Sequence, residues 1–161
     1  MRSTPIKQFE SARLSPKGKF KTVKSSILTP ETTSLAIVLN VNNLAGKTTS
    51  PMLAVFDKKW GKVRAETKGW FANKTGAYKL GAITTIAVQS DVWIANMLCQ
   101  DEQSKTDLKG LEACLKSVCS LAKEEKASVH VSSLLTSEIP ELKEMLETHI
   151  IGNGINVFLY E

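Results

Sequence analysis

Three amides stand within four positions at Asn40, Asn42 and Asn43, where the apolar run "LAIVL" ends. A loop with a single glycine, Gly46, follows, and then Lys47, Thr48, Thr49 and Ser50. A second polar stretch, "SSLLTSE" from residue 132 to 138, adds Ser132, Ser133 and Thr136. Amides and hydroxyls give and take hydrogen bonds but are poor proton carriers at neutral pH. Two such stretches form a donor-rich rim suited to holding a ligand, with no nucleophile–base pair in it.

The remaining candidates for chemistry have simpler readings. His130 alternates with Val129 and Val131, so it points away from their face and reads as a structural histidine with its hydrogen bonds satisfied. His149, on a helical pattern, reads as a surface or half-buried residue. The pairs Asp101 with Glu102, Glu124 with Glu125, and Glu138 with Glu141 mark the ends of elements, and the last suits a helix N-terminus. Serine elbow, P-loop, dinucleotide fingerprint and zinc-ligand spacing are all missing from the sequence. Cys99, Cys114 and Cys119 are odd in number and lie in apolar patterns, which predicts reduced core thiols. Neither a metal nor a cofactor is expected.

The 161 residues are 42% hydrophobic and 23% charged, with a formal net charge of +5, values ordinary for one soluble domain with its own core. The positive charge is local. Arg2, Lys7, Arg13, Lys17, Lys19, Lys21 and Lys24 face a single acid, Glu10, in the first 24 positions, and the rest of the chain holds 14 basic against 15 acidic residues. Such a stretch reads as a solvated arm, residues 1–18, or as a phosphate-neutralising segment for RNA or single-stranded DNA. No apolar stretch reaches the roughly 20 residues of a membrane span, and no apolar block follows the basic start, so neither membrane insertion nor secretion is expected. The expected location is cytoplasmic, or nuclear in a eukaryotic host.

Elements that would position these residues follow from periodicity. Phe20–Leu28 and Ser34–Val41 read as strands, the second buried on both faces. Pro51 suits the first turn of a helix capped by Ser50. A second helix starts near Lys62 and breaks at Gly69. Residues 82–89 and 92–99 form a hairpin about Ser90 and Asp91. A long helix begins at a capping-box pattern of Ser104 and Asp107 and carries Leu108, Leu111, Leu115, Val118 and Ala122 on one face. Strand 128–131, a helix capped by Ser137 and a strand over Ile155–Tyr160 complete the chain. Strands alternate with helices except at one hairpin, which predicts a three-layer α/β/α domain, residues 19–161, with a mixed, mostly parallel sheet of about six strands.

The order of these features resembles the macro domain family, the ADP-ribose-binding α/β/α module. "LAIVLNVNN" resembles the family strand that ends in asparagines, and "MLAVFDKKWG" the helix after its ligand loop. "KLGAITTIAVQSDVWIANMLCQD" is similar to its strand pair, and "GLEACLKSVCSLAKEEKASVHV" to its long helix and penultimate strand. The resemblance implies that Asn40, Asn42 and Asn43 line the distal-ribose end, with Gly46 in the first ligand loop and Ser132, Ser133 and Thr136 near the diphosphate. It places Ser26, Ile27 and Tyr160 near adenine.

Three departures are visible. Serine replaces the adenine-holding aspartate at the Ser25–Ile27 turn. The first loop keeps only Gly46, with Pro51 offering no amide. The second loop has no glycine, and Leu134 and Leu135 would add bulk at the diphosphate. Glycines there let main-chain nitrogens approach phosphate. The expectation is weak, non-catalytic binding of ADP-ribose or a related nucleotide. The alternatives are a nucleic-acid-binding or protein-interaction domain that has abandoned the pocket, and an ADP-ribosyl hydrolase or phosphatase.

Overall fold

A computed structural model describes residues 17–32, 34–73 and 77–161. The seven-residue run Ala36–Asn42 takes the sheet's central region because it is apolar up to Asn40 and both its faces need cover. Strand β2 (Leu35–Asn43) is buried at every position. It lies between β5 (Ala127–Ser132) and β4 (Val92–Gln100), with both pairings parallel. Outside β5 come β6 (Val157–Tyr160) and β1 (Phe20–Val23), also parallel, and outside β4 comes β3 (Ile83–Gln89), antiparallel. The order is β1-β6-β5-β2-β4-β3. The sheet is thus mixed and mostly parallel with six strands, as expected.

Helices cover the two faces. Helices α1 (Pro51–Asp57) and α2 (Lys62–Ala72) pack on each other on the side to which Asn40 points. The long α3 (Leu108–Glu125) packs on β4 and β5 and against α5 (Leu142–His149). His149 Nε2 lies 3.3 Å from Glu112 across that pair of helices. Short α4 (Ser133–Glu138) follows β5 directly, and a 3-10 turn, Ile151–Asn153, leads toward β6. Because five strands run parallel, the carboxyl ends of β1, β2, β4, β5 and β6 gather along one crest: Val23, Asn43, Gln100, Ser132 and Tyr160.

Several local expectations change. Strand β1 stops at Val23 because Ser26 makes a turn: its Oγ accepts from Leu28 N at 3.0 Å and its carbonyl from Thr29 N at 3.1 Å. Gly69 does not break α2. The helix runs through it to Ala72, since one glycine costs about 1 kcal/mol and removes no hydrogen bond. Asp107, not Ser104, caps α3, its carboxylate accepting from Gly110 N at 2.8 Å. Ser104 sits at φ 63°, outside the helix. Two helices replace the single one assigned to Ser137, because Ile139 precedes Pro140 and adopts extended backbone. The cap of the first is Ser132. Gly154, at φ 88°, makes the turn before the last strand, which starts at Val157 rather than Ile155.

Candidate functional site

The three asparagines at the end of β2 have three different fates. Asn40 is fully buried. Its Nδ2 donates to Asn96 Oδ1 at 2.9 Å, and its Oδ1 accepts from Ser50 Oγ. Asn96 in turn donates to Thr67 Oγ1 at 3.0 Å, so a buried chain of polar groups ties β2 to β4, α1 and α2. In a dry interior each such group needs a partner, which makes the chain a positional lock. Asn40 is therefore a brace for the rim.

Asn43 builds the loop beyond the strand. Its Oδ1 accepts from Lys47 N at 2.9 Å, while its Nδ2 donates to Lys47 O and to Thr49 Oγ1 at 2.9 and 3.1 Å. Thr49 Oγ1 reaches Ser104 Oγ at 3.2 Å, and Tyr78 OH donates to the Asn43 carbonyl at 2.9 Å. Gly46 has φ 70°, and a Cβ there would stand 2.3 Å from Phe71 Cγ. The surviving glycine of this loop thus makes room for an aromatic ring, which with Trp70 and Tyr78 forms a cluster with centroid separations of 4.9 and 5.5 Å to Tyr78.

Asn42 is the one of the three whose amide nitrogen has no partner. It is 6% exposed, and its Nδ2 is the one buried side-chain polar atom among the described residues with no hydrogen-bond partner. An unpaired buried amide costs about 1–3 kcal/mol. It lies one turn of the pleat beyond Asn40, on the same sheet face, at the crest.

At the second loop, Ser132 caps α4, its Oγ accepting from Leu134 N at 3.1 Å, and Thr136 Oγ1 donates to Ser133 O at 3.2 Å. The Ser133 hydroxyl, half-buried, makes no hydrogen bond among the described residues. Leu135 does not intrude on the crest, contrary to expectation: it is fully buried in the core, and only Leu134 is exposed, at 45%. Helical periodicity separates the two neighbours by about 100° and sends one inward.

The expected adenine end is closed to stacking by Tyr160. That residue is 3% exposed. Its OH accepts from Glu31 N at 2.9 Å and bonds His130 Nδ1 at 2.8 Å. Ile27 belongs to the core, whereas Ser26 is exposed with its oxygen engaged in its own turn. His130 is structural, as its alternation predicts: it is buried, hydrogen-bonded on both ring nitrogens, and stacked on Phe158 at 4.7 Å. Burial holds its pKa down at about 3. Burial also pushes the Cys114 thiol up to about 12 and raises Cys99 and Cys119, so all three stay protonated and inert.

Of the basic residues, Arg2, Lys7 and Arg13 lie outside the described residues. Lys17, Lys19, Lys21 and Lys24 are described, and Lys21 pairs with Glu31 at 3.4 Å. No group of three metal-ligating side chains occurs among the described residues, and no helix there is long and apolar enough to cross a membrane. Sequence reading missed Asn96, Thr67 and Tyr78. The one usable signal was Asn96 itself, a lone amide inside the buried run "VWIANMLC".

The layered sheet with its strand order and asparagine-tipped central strand defines the class: this chain has the macrodomain fold. A macrodomain protein from Streptomyces coelicolor superposes with a TM-score of 0.79 at 21% identity, over 89% of this chain and 99% of that one. The macrodomain of Thermus aquaticus DarG gives 0.69 at 16% identity, over 89% of this chain and 99% of that one. Thermosipho africanus DarTG, solved in complex with ADP-ribose, gives 0.63 at 12% identity, over 88% of this chain and 41% of that one. No family model and no curated protein matches the sequence.

Proposed function

We propose that the crest is a binding site for ADP-ribose or a related nucleotide-type ligand, and that the domain is a weak, non-catalytic reader. The observation that carries this reading is Asn42 Nδ2, a buried donor without an acceptor at the carboxyl end of the central strand. A ribose hydroxyl supplies the missing acceptor when a small turn of the buried side chain brings its Nδ2 to the crest surface. The loop beside it is held rigid by Asn43, so little ordering entropy opposes binding. The same ligand class is supported by the shared fold of Thermosipho africanus DarTG, a protein solved in complex with ADP-ribose.

Weak affinity follows from the other end of the crest. Ser26 has no carboxylate to hold an adenine amine, and Tyr160 offers no open ring face. The non-catalytic reading rests on the hydrogen bonds that engage Asn40 and Thr136. Calorimetric titration of ADP-ribose into the wild type and into Asn42→Ala tests the reading. Weak binding that disappears in the variant is expected; no heat from either protein at millimolar ligand refutes it.

A further inference from the structure

A cavity of about 560 Å³ opens at the other end of the sheet. Its walls are the amino-terminal ends of strands: Lys126 precedes β5 and Ser128 lies in its first turn of pleat, Asn156 precedes β6, Ser34 precedes β2, and Lys21 comes from β1. Those strands finish at the crest with Ser132, Tyr160 and Asn43, so the cavity is separate from the nucleotide site proposed above. Its volume is in the range of small-molecule pockets.

The wall is rich in donors. Lys126 Nζ forms no ion pair among the described residues, and the only charge partner of Lys21 is Glu31, at 3.4 Å with both side chains exposed. Such a contact is worth little. Asn156 accepts from Lys19 N through its Oδ1 at 2.9 Å, which leaves its NH2 group available.

Ser128 is oriented by a relay that reaches in from the crest. Tyr160 OH already accepts from Glu31 N, and the neighbour to which its own proton can go is His130 Nδ1, at 2.8 Å. His130 then carries its proton on Nε2 and donates to Ser128 Oγ at 2.7 Å. The Ser128 oxygen is thereby engaged as an acceptor, and its proton is left over for the cavity. In this tautomer Nε2 has no lone pair to take a proton from Ser128, so the hydroxyl acts as a donor to a ligand. Phe158 stands between His130, stacked at 4.7 Å with an interplanar angle of 4°, and Lys21, 5.9 Å from its centroid. With its two faces so occupied, the ring offers the cavity its rim, which carries partial positive charge.

We propose that this cavity is a second ligand site, which takes the phosphate monoester of a small organic molecule. Two ammonium groups, the Ser128 hydroxyl and the Asn156 amide line the cavity as donors, with Thr32 and Ser34 beside them, against the single carboxylate of Glu31. That set matches a dianion with several acceptor oxygens better than a carboxylate, which has two. A bare phosphate would fill a small part of the volume, so an organic remainder is needed to occupy the rest. The incoming phosphate displaces Glu31 from Lys21.

The test is amide-resolved NMR titration of the full chain with ribose 5-phosphate, inorganic phosphate and ribose, repeated on Lys126→Asn. Asparagine tolerates the left-handed backbone of that exposed position, at φ 54°, and removes the charge. Ribose 5-phosphate is expected to shift the amides of Ser128 and Asn156 and to leave Asn42 unmoved, with ribose inert. Lys126→Asn is expected to weaken binding at least about tenfold. Shifts confined to the crest, equal affinity in the variant, or no shift up to about 10 mM ligand would overturn the site. Inorganic phosphate binding as tightly as the ester would overturn the assignment of an organic ligand.

Discussion

Replacing Asn42 by leucine should make the ligand-free protein more stable while destroying its site, and the same replacement two residues earlier should make it less stable. Asn40 and Asn42 lie on one strand, on one face, both nearly or fully buried. They differ in partners. Leucine has the same number of heavy atoms with the same branching, so it removes the polar groups with little change of shape. At Asn42 it deletes a buried donor that has no acceptor, and recovers part of a desolvation penalty of about 1–3 kcal/mol. Some of that gain is offset by the slightly larger methyl groups, which leaves about 1–2 kcal/mol. For a domain of this size that is a rise in Tm of about 2–8 °C. At Asn40, leucine strands Asn96 Oδ1 in the interior and takes from the half-buried Ser50 Oγ the acceptor of its proton. The expected loss is about 2–3 kcal/mol, or about 4–12 °C. Differential scanning calorimetry of the two variants without ligand gives the comparison, and ADP-ribose added to Asn42→Leu should produce no further shift. If Asn42→Leu were as destabilising as Asn40→Leu, the amide would have a partner in the free protein, and the central observation behind the proposed function would be lost.

Three further outcomes are expected. Gly46→Ala should cost about 1–3 kcal/mol in urea unfolding, because φ 70° is strained for alanine and its Cβ would meet the Phe71 ring at 2.3 Å; a neutral result would mean that the ring does not define the loop. Tyr78→Phe loses the bond to the Asn43 carbonyl, about 1 kcal/mol, and should speed exchange of the Lys47 amide about fivefold by hydrogen-exchange NMR; unchanged exchange would remove Tyr78 from the bracing of the loop. His130 is held neutral by burial, its pKa lowered from 6.5 to about 3. The unfolded chain binds the extra proton between those values, so stability falls as pH drops through that window, by up to about 1.4 kcal/mol per unit, and levels off below it. Urea midpoints of wild type and His130→Gln from pH 7 to 4 should therefore diverge in slope, the variant being the flatter; parallel curves would count against a buried neutral imidazole.

Much of the fold was legible because its signals are local. The apolar run into β2, the hairpin at Ser90 and Asp91, the Pro51 start capped by Ser50 and the periodic face of α3 each depend on neighbours within a turn or a strand. The misreadings came from competition between local signals. The capping-box pattern put the start at Ser104 with Asp107 three residues on, and the cap fell instead to Asp107 once Asp101 had drawn Gln103 N and Lys105 N into a turn. Ser137, read as a cap, lies inside a short helix that Ser132 caps and that ends before Pro140.

The site was legible as composition and illegible as wiring. Sequence alone placed a cluster of amides after the central strand and located hydroxyls after β5, since residue type and order suffice for that. Which amide remains free is decided by partners distant in the chain: Asn96 lies 56 positions from Asn40, and Tyr78 lies 35 from Asn43. Likewise Tyr160 is drawn away from any stacking role by His130 and Glu31, 30 and 129 positions off. A hydrogen bond is satisfied by whatever polar atom the packing brings within about 3 Å, and strand order, not spacing along the chain, determines which atom that is. The sequence by itself determined which groups stand at the crest; only the tertiary structure decided that Asn42, among three identical side chains, has a donor to spare.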